Sequence, residues 1–184
     1  AEQDVIMNKN FYKLYKKFCP GPITFILKRK KKSKVKFSAT ANLNSVAIRF
    51  PKHRVMNSLL KNIEFPLAMP SANKSSRVSP VSAKNVADEF QKKIKMIIDG
   101  GKANLGIEST VIDLTGHPKI LRPGLITPEN INQVLKIKLN IINNNRTSKS
   151  PGLLSKHYSP GIPVIINQKN CKKNCALITF GKKY

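Results

Sequence analysis

A chain of 184 residues with 40% hydrophobic residues can bury one core and a small second unit, so its composition argues against disorder. Its formal net charge of +25 predicts either a surface that attracts phosphate groups or the Lys-rich codon usage of an AT-rich genome. No stretch approaches the roughly 20 apolar residues of a membrane-spanning helix, which predicts no membrane association.

Hydrophobic periodicity predicts helices and strands in alternation along most of the chain. The predicted helices cover residues 8–18, 55–63, 80–95 and 127–136. The predicted strands cover residues 23–27, 35–37, 45–50, 65–69, 96–98, 109–114 and 119–122, the last two forming a hairpin around Gly116. Such alternation is typical of an α/β fold.

The densest basic segment, residues 28–34, lies between two apolar segments. A hairpin turn is one interpretation of this segment, and a contact to nucleic acid is the other. Cys171 and Cys175 form a C-x3-C pair without a second pair or a nearby His, so together with Cys19 they predict reduced thiols and no metal site. Reduced thiols favour a cytoplasmic location.

Polar residues dominate the segment from about residue 140 to residue 159, which therefore predicts a linker. Two further strands are predicted at residues 162–166 and 176–180. The predicted domain division is accordingly a core at 1–139, a linker at 140–161 and the start of a second α/β domain at 162–184.

Several polar residues lie where an α/β sheet binds ligands. The loop at residues 70–73 follows a predicted strand and precedes a predicted helix, a position that often binds ligands. Ser109 offers a hydroxyl at a strand start, while Arg49 and Arg122 near strand ends suit a carboxylate or phosphate. These residues favour an anionic small-molecule pocket; ordinary loop capping and surface arginines are the alternative. A P-loop is absent from the sequence.

Seven segments in order resemble the YrdC-like threonylcarbamoyl-AMP synthases, and two later ones resemble the linker of the longer, two-domain members. The first seven are FCPGPIT at 18–24, SVAIRFPKH at 45–53, PSAN at 70–73, SP at 79–80, IDGG at 98–101, ESTVID at 108–113 and LRPG at 121–124. The linker segments are SPG at 150–152 and HYSP at 157–160.

The resemblance implies an open, twisted, mixed α/β sheet with flanking helices. It also implies a reaction in which L-threonine, bicarbonate and ATP form threonylcarbamoyl-AMP and pyrophosphate. The product serves the threonylcarbamoyladenosine modification of tRNA, together with partner proteins of that modification. ATP is then a substrate, accompanied by Mg²⁺, and no cofactor is tightly bound.

Motif positions in the family imply a role for eight residues of this chain. L-threonine would contact Arg49, Ser71 and Ser109. ATP would contact Ser45, Asn73, Val81, Arg122 and Tyr158. Catalysis would rest on positioning and on stabilisation of phosphoryl charge, so no catalytic acid or base and no metal ligand is assigned.

One departure from the family pattern affects activity. Family members carry an N-terminal T-x-[TS]-x-Y-G-like segment and a Lys-x-Arg motif, which this sequence lacks, so we expect an N-terminally truncated chain with impaired activity on its own. Two other hypotheses remain open: a basic RNA-binding module without enzymatic activity, and the remnant of a split gene.

Overall fold

A computed structural model describes residues 1–91, 93–139, 162–168, 170–171 and 173–179. Its elements, in chain order, are α1 (Lys9–Phe18), β1 (Ile23–Lys28), a 3₁₀ turn (Phe37–Thr40), β2 (Ser45–Arg49), α2 (Arg54–Lys61), α3 (Ala83–Phe90), β3 (Thr110–Asp113), β4 (Lys119–Arg122) and α4 (Pro128–Leu135). No helix in the described part of the chain has the length and apolar character needed to span a bilayer.

The four strands form one mixed sheet in the order β2-β1-β3-β4. The central strand β1 pairs antiparallel with β2 and parallel with β3, and β3 pairs antiparallel with β4. Helices flank this open sheet, which confirms the α/β fold predicted from the sequence.

One face of the sheet carries the main core. Side chains alternate between faces along a strand, so Ile23, Phe25 and Leu27 of β1 point to the same side and are fully buried. They pack with buried residues of α1 and α4, among them Phe11 and Ile131. We call this side of the sheet the helix-covered face.

The other side of the sheet, the open face, has only a small apolar cluster, formed by Ile26, Val111 and Leu121. Thr24 shares this face because it alternates with Ile23 along β1. Polar side chains on the open face are therefore not part of the main core.

The helices begin and end where the sequence supplies caps. Asn8 accepts a hydrogen bond from the Phe11 amide at the start of α1 and donates through Nδ2 to the Leu114 carbonyl, tying the helix to the end of β3. Thr127 and Asn130 form a reciprocal capping box at the start of α4.

The prediction of a strand at residues 35–37 is wrong. The Arg29 side chain instead donates to the carbonyls of Ser33 and Val35, and the Asp4 carboxylate accepts from the Ser33 hydroxyl and the Lys34 amide. These bonds fold the basic segment into a loop. The partner of β1 is therefore β2, which starts at Ser45.

The predicted strands at 65–69 and 96–98 are also wrong, as are those at 162–166 and 176–180 within their described residues. A strand needs a neighbour for its backbone hydrogen bonds, and the described residues provide none for these segments. Several of their apolar side chains are exposed, including Phe65, Met69, Met96 and Ile98.

Helix α3 is shorter than predicted. It begins at Ala83 behind the Ser82 cap, and Gln91 ends it in a left-handed conformation. Ser79, which precedes the predicted helix at 80–95, uses its hydroxyl elsewhere, as described below. The predicted linker at 140–161 lies outside the described residues.

Candidate functional site

Polar side chains from β1, β2 and β4 and from the residue before β3 meet at one end of the open face. Thr24 near the start of β1 lies opposite Arg49 at the end of β2, and Val111 near the start of β3 lies opposite Arg122 at the end of β4. Because β1 and β3 are parallel neighbours, these two pairs occupy the same edge of the sheet. The sheet thus gathers two arginines that are far apart in sequence.

The Ser109 hydroxyl lies at the centre of this edge. It is 2.8 Å from the Thr24 hydroxyl and accepts a hydrogen bond of 3.1 Å from Arg122 Nη2. Arg122 Nε also donates to the Ser109 carbonyl over 3.0 Å. Ser109 is only 4% exposed, so its position is fixed by contacts on several sides.

Glu108 holds the other side of the Arg122 guanidinium. Its Oε2 accepts from Arg122 Nη1, and its Oε1 accepts from the Ser79 hydroxyl over 2.6 Å. Both partners of the Arg122–Glu108 ion pair are largely shielded from solvent. The pair fixes the guanidinium plane, because Arg presents its donors in a rigid fork.

Arg49 experiences the positive charge of Arg122. Burial lowers the pKa of Arg49, and the nearby Arg122 lowers it further, while Glu108 acts in the opposite direction. Two guanidinium groups sharing one carboxylate leave a local excess of positive charge. An anionic ligand would remove this repulsion, so the arrangement suits a carboxylate or a phosphate.

The loop after β4 packs closely against the start of β3. The Thr110 hydroxyl donates to the Ile126 carbonyl over 2.7 Å and accepts from the Ile126 amide. A Cβ on Gly124 would lie 2.5 Å from the Thr110 nitrogen and 2.6 Å from the Glu108 carbonyl oxygen. Only glycine fits there, and this close approach fixes the backbone that carries Glu108 and Ser109.

His53 connects the motif at residues 45–53 with the motif at residues 98–101. Its Nδ1 accepts from the Met56 amide at the start of α2, and its Nε2 lies 3.2 Å from the Gly100 carbonyl oxygen. With Nδ1 acting as acceptor, Nε2 carries the proton and donates to Gly100. The loop at residues 99–101 is therefore tied to the segment that follows Arg49.

The structure brings together three of the eight predicted site residues: Arg49, Ser109 and Arg122. Ser45 lies at the opposite end of β2, about 13 Å along the strand from Arg49. Ser71 is exposed in the loop after the wrongly predicted strand.

Asn73 and Val81 form their hydrogen bonds with residues outside this cluster. The Asn73 Nδ2 donates to the carbonyls of Lys74 and Arg77, and its buried Oδ1 has no partner among the described residues. The Val81 carbonyl accepts from the Ala103 amide. Tyr158 lies outside the described residues.

Sequence reasoning assigned no role to three residues of the cluster: Thr24, Ser79 and Glu108. Each belongs to a motif quoted above, so the signal was present. The alternation along β1 places Thr24 on the face opposite Ile23 and Phe25, and this could have identified it. The partner of Glu108 could not be identified without knowing that β3 pairs with β4.

The fold and the cluster define a class of protein: an open mixed α/β sheet with two arginines and a hydroxyl pair gathered at one edge. Residues 1–124 match the family model Sua5_yciO_yrdC, described as telomere recombination, and residues 126–183 match Sua5_C, described as the threonylcarbamoyl-AMP synthase C-terminal domain. The chain belongs to the Sua5/YciO/YrdC family.

Named relatives and a solved structure agree with this membership. The chain is 42% identical to the threonylcarbamoyl-AMP synthase of Pyrococcus abyssi, over 83% of this chain and 46% of that protein. It is 36% identical to the enzyme of the same name from Schizosaccharomyces pombe, over 90% and 43%. The crystal structure of P. abyssi Sua5 complexed with L-threonine is similar with a TM-score of 0.78 and 39% identity, over 86% and 48%.

The chain thus spans less than half the length of these relatives. Their names and the solved structure support the synthase hypothesis over the hypothesis of a basic RNA-binding module.

Proposed function

We propose that this chain carries part of the substrate pocket of an L-threonylcarbamoyladenylate synthase, which forms threonylcarbamoyl-AMP and pyrophosphate from L-threonine, bicarbonate and ATP. The enzyme is then a nucleotidyltransferase. The observation that carries the proposal is the convergence of Arg49 and Arg122 at the edge of the sheet that holds the hydrogen-bonded hydroxyls of Thr24 and Ser109. The relatives' names supply the reaction.

L-threonine is proposed to bind at Arg49, Ser109 and Ser71. A guanidinium matches the two oxygens of a carboxylate, and Arg49 is the second cation at this edge of the sheet, beside the Arg122–Glu108 ion pair. Ser109 lies beside it with a fixed hydroxyl, which suits a polar group of the amino acid. The complex of P. abyssi Sua5 with L-threonine supports an amino-acid site in this fold.

ATP is proposed to bind at Arg122, Ser45, Asn73, Val81 and Tyr158. Arg122 donates through Nε, Nη1 and Nη2 to Ser109 and Glu108, so its guanidinium is held in one orientation. This fixed cation would stabilise a phosphate of ATP bound at the same edge. The buried, unpaired Oδ1 of Asn73 is a possible acceptor for a nucleotide donor group.

Mg²⁺ is proposed to accompany ATP. Within the described ranges, no group of three or more His, Cys, Asp or Glu side chains converges as a metal site. The ion would therefore be held mainly by the nucleotide phosphates and water, as is common for Mg²⁺. Its chemistry there would be neutralisation of phosphate charge, and the chain's own contribution would be to orient the substrates and stabilise charge with its arginines.

The wider setting of the activity is also a proposal. The product would be consumed in tRNA modification in the cytoplasm, together with partner proteins of that process, and the basic surface would permit weak RNA binding. The division into a core at 1–139, a linker at 140–161 and a second domain from 162 remains a prediction.

Replacing Arg49 tests the proposed pocket. Arg49→Ala should weaken L-threonine binding by about tenfold or more, because a hydrogen bond to a charged group contributes roughly 1.5–3 kcal/mol. The matched control is Arg54→Ala, which removes the next arginine along the chain, exposed on α2. Titration calorimetry with L-threonine, with and without ATP, measures both. Equal affinities in the two variants would contradict the assignment.

A further inference from the structure

The Thr24–Ser109 hydroxyl pair has one proton more than the described residues around it accept. Each hydroxyl has one proton and two lone pairs, and one of the two protons is used in the 2.8 Å bond between them. The other neighbour of Ser109 Oγ is Arg122 Nη2, which can only donate. Whichever hydroxyl donates to the other, one proton remains without an acceptor among the described residues.

The hydroxyl pair lies beside Arg49. Thr24 is the cross-strand neighbour of Arg49 in the antiparallel β1–β2 pair, and directly opposite residues point to the same face. A cationic group and a hydroxyl donor thus adjoin each other at the same edge of the sheet. Both favour a ligand that brings negatively charged acceptor oxygens.

The geometry of the pair is fixed before any ligand binds. Arg122 holds the Ser109 hydroxyl and the Ser109 carbonyl at once, Glu108 holds Arg122, and Ser79 holds Glu108. Rotation of the Ser109 side chain about its Cα–Cβ bond would break the contact with Arg122. Hydroxyl oxygens that are held in place lower the ordering cost of binding and strengthen selection between ligand groups.

We propose that Thr24 is a specificity-determining residue of the pocket: with Ser109 it presents one hydroxyl proton to an acceptor oxygen of the ligand bound by Arg49. The pair therefore selects a carboxylate over an uncharged amide, whose NH₂ group would place donors against a donor. This inference rests on the proposed function, because it takes the L-threonine carboxylate as the ligand group. It gives a defined role to a residue that sequence reasoning left without one.

Two substitutions at Thr24 separate recognition from folding. Thr24→Val keeps the shape of the side chain and removes the hydroxyl, while Thr24→Ser keeps the hydroxyl. The probes are L-threonine and L-threoninamide, titrated calorimetrically into the full chain and both variants. Thermal unfolding of each variant verifies that it is folded.

We expect Thr24→Val to weaken L-threonine binding by about tenfold, the effect of one hydrogen bond to a charged group. The affinity for L-threoninamide should change much less. The ratio of the affinities for L-threonine and L-threoninamide should therefore fall in Thr24→Val. Thr24→Ser should retain wild-type affinity and preference. A purely structural role predicts instead that Thr24→Val lowers the affinity for both probes equally, and this result would overturn the proposal.

A failure of the proposed function would give a different result from a failure of this inference. If the wild-type chain binds no L-threonine, the amino-acid assignment is contradicted, and inorganic pyrophosphate becomes the probe. The hydroxyl pair must then still favour this anion: Thr24→Val should weaken pyrophosphate binding while Thr24→Ser does not. Equal binding by both variants would overturn the inference as well.

Discussion

The two faces of the sheet differ in composition: one carries the main apolar core and the other carries a polar network. On the helix-covered face, Phe25 and its neighbours are fully buried against α1 and α4. On the open face, the same strand contributes Thr24 to a polar network with Ser109 and Arg122. Residues adjacent in sequence therefore serve stability on one side and recognition on the other.

The polar network on the open face depends on the packing of the helix-covered face. A buried polar group is costly unless it is hydrogen-bonded, so a network of this kind needs a rigid support. The close packing of the helix-covered face supplies that support, because it fixes the backbone positions of β1 and β3. Perturbing each face separately tests this division.

The largest expected effect comes from the helix-covered face. Phe25→Ala removes a fully buried ring that contacts Phe11 with a 5.0 Å distance between ring centroids. The free energy of unfolding should fall by about 3–5 kcal/mol, the usual range for such a truncation. Urea denaturation measures the change.

The control for Phe25 lies on the same strand. Lys28 is exposed at the end of β1, so Lys28→Ala should change the free energy of unfolding by less than about 0.5 kcal/mol. If the two variants unfolded at the same urea concentration, the helix-covered face would not be the main source of stability.

A smaller effect is expected at the edge of the open face. Gly124→Ala forces a Cβ against the Thr110 nitrogen and the Glu108 carbonyl oxygen, both backbone atoms that cannot rotate away. The free energy of unfolding should fall by about 1–3 kcal/mol, as is typical of overpacking. L-threonine binding should weaken as well, because the backbone that carries Glu108 and Ser109 must shift.

Gly116→Ala is the matched control, since a Cβ at Gly116 has no heavy atom within 4 Å. This variant should be as stable as the wild type or slightly more so, because alanine restricts the unfolded chain. Equal losses in both glycine variants would mean that the close approach at Gly124 does not hold the site in place.

The sequence predicted the strands of the sheet better than the segments around it. Strands β1, β2, β3 and β4 have strong apolar patterns, and their partners lie within the chain. The apolar runs at 65–69 and 96–98 have similar composition but no strand partner in the described residues. Hydrophobic pattern measures a tendency to be buried, and strand formation also needs a neighbour.

The site was predictable only in part. Arg49, Ser109 and Arg122 were identified through family motifs, and the structure brings them together. Glu108 and Thr24 were in the motifs without a role, because their roles depend on which strands are neighbours. The β2-β1-β3-β4 order decides this, and periodicity along one chain does not contain it.

The reactivity of Cys19 in the unsubstituted chain reports whether the helix-covered face is closed to solvent. Cys19 is partly buried against the main core, and burial raises its pKa to about 11 from 9.0. The folded state therefore favours the protonated thiol of Cys19. The stability that the fold gains from keeping this thiol protonated is fully present below about pH 9 and is lost as the pH rises through 11. At mildly alkaline pH, iodoacetamide should modify Cys19 roughly tenfold more slowly in the folded chain than in concentrated urea, because the smaller thiolate population outweighs the greater nucleophilicity of a more basic thiolate. The exposed Cys171 serves as the internal reference, and peptide mass spectrometry reports both sites. If Cys19 were modified equally fast in both conditions, that side of the core would be open to solvent, and the contrast between the two faces would be weaker than described.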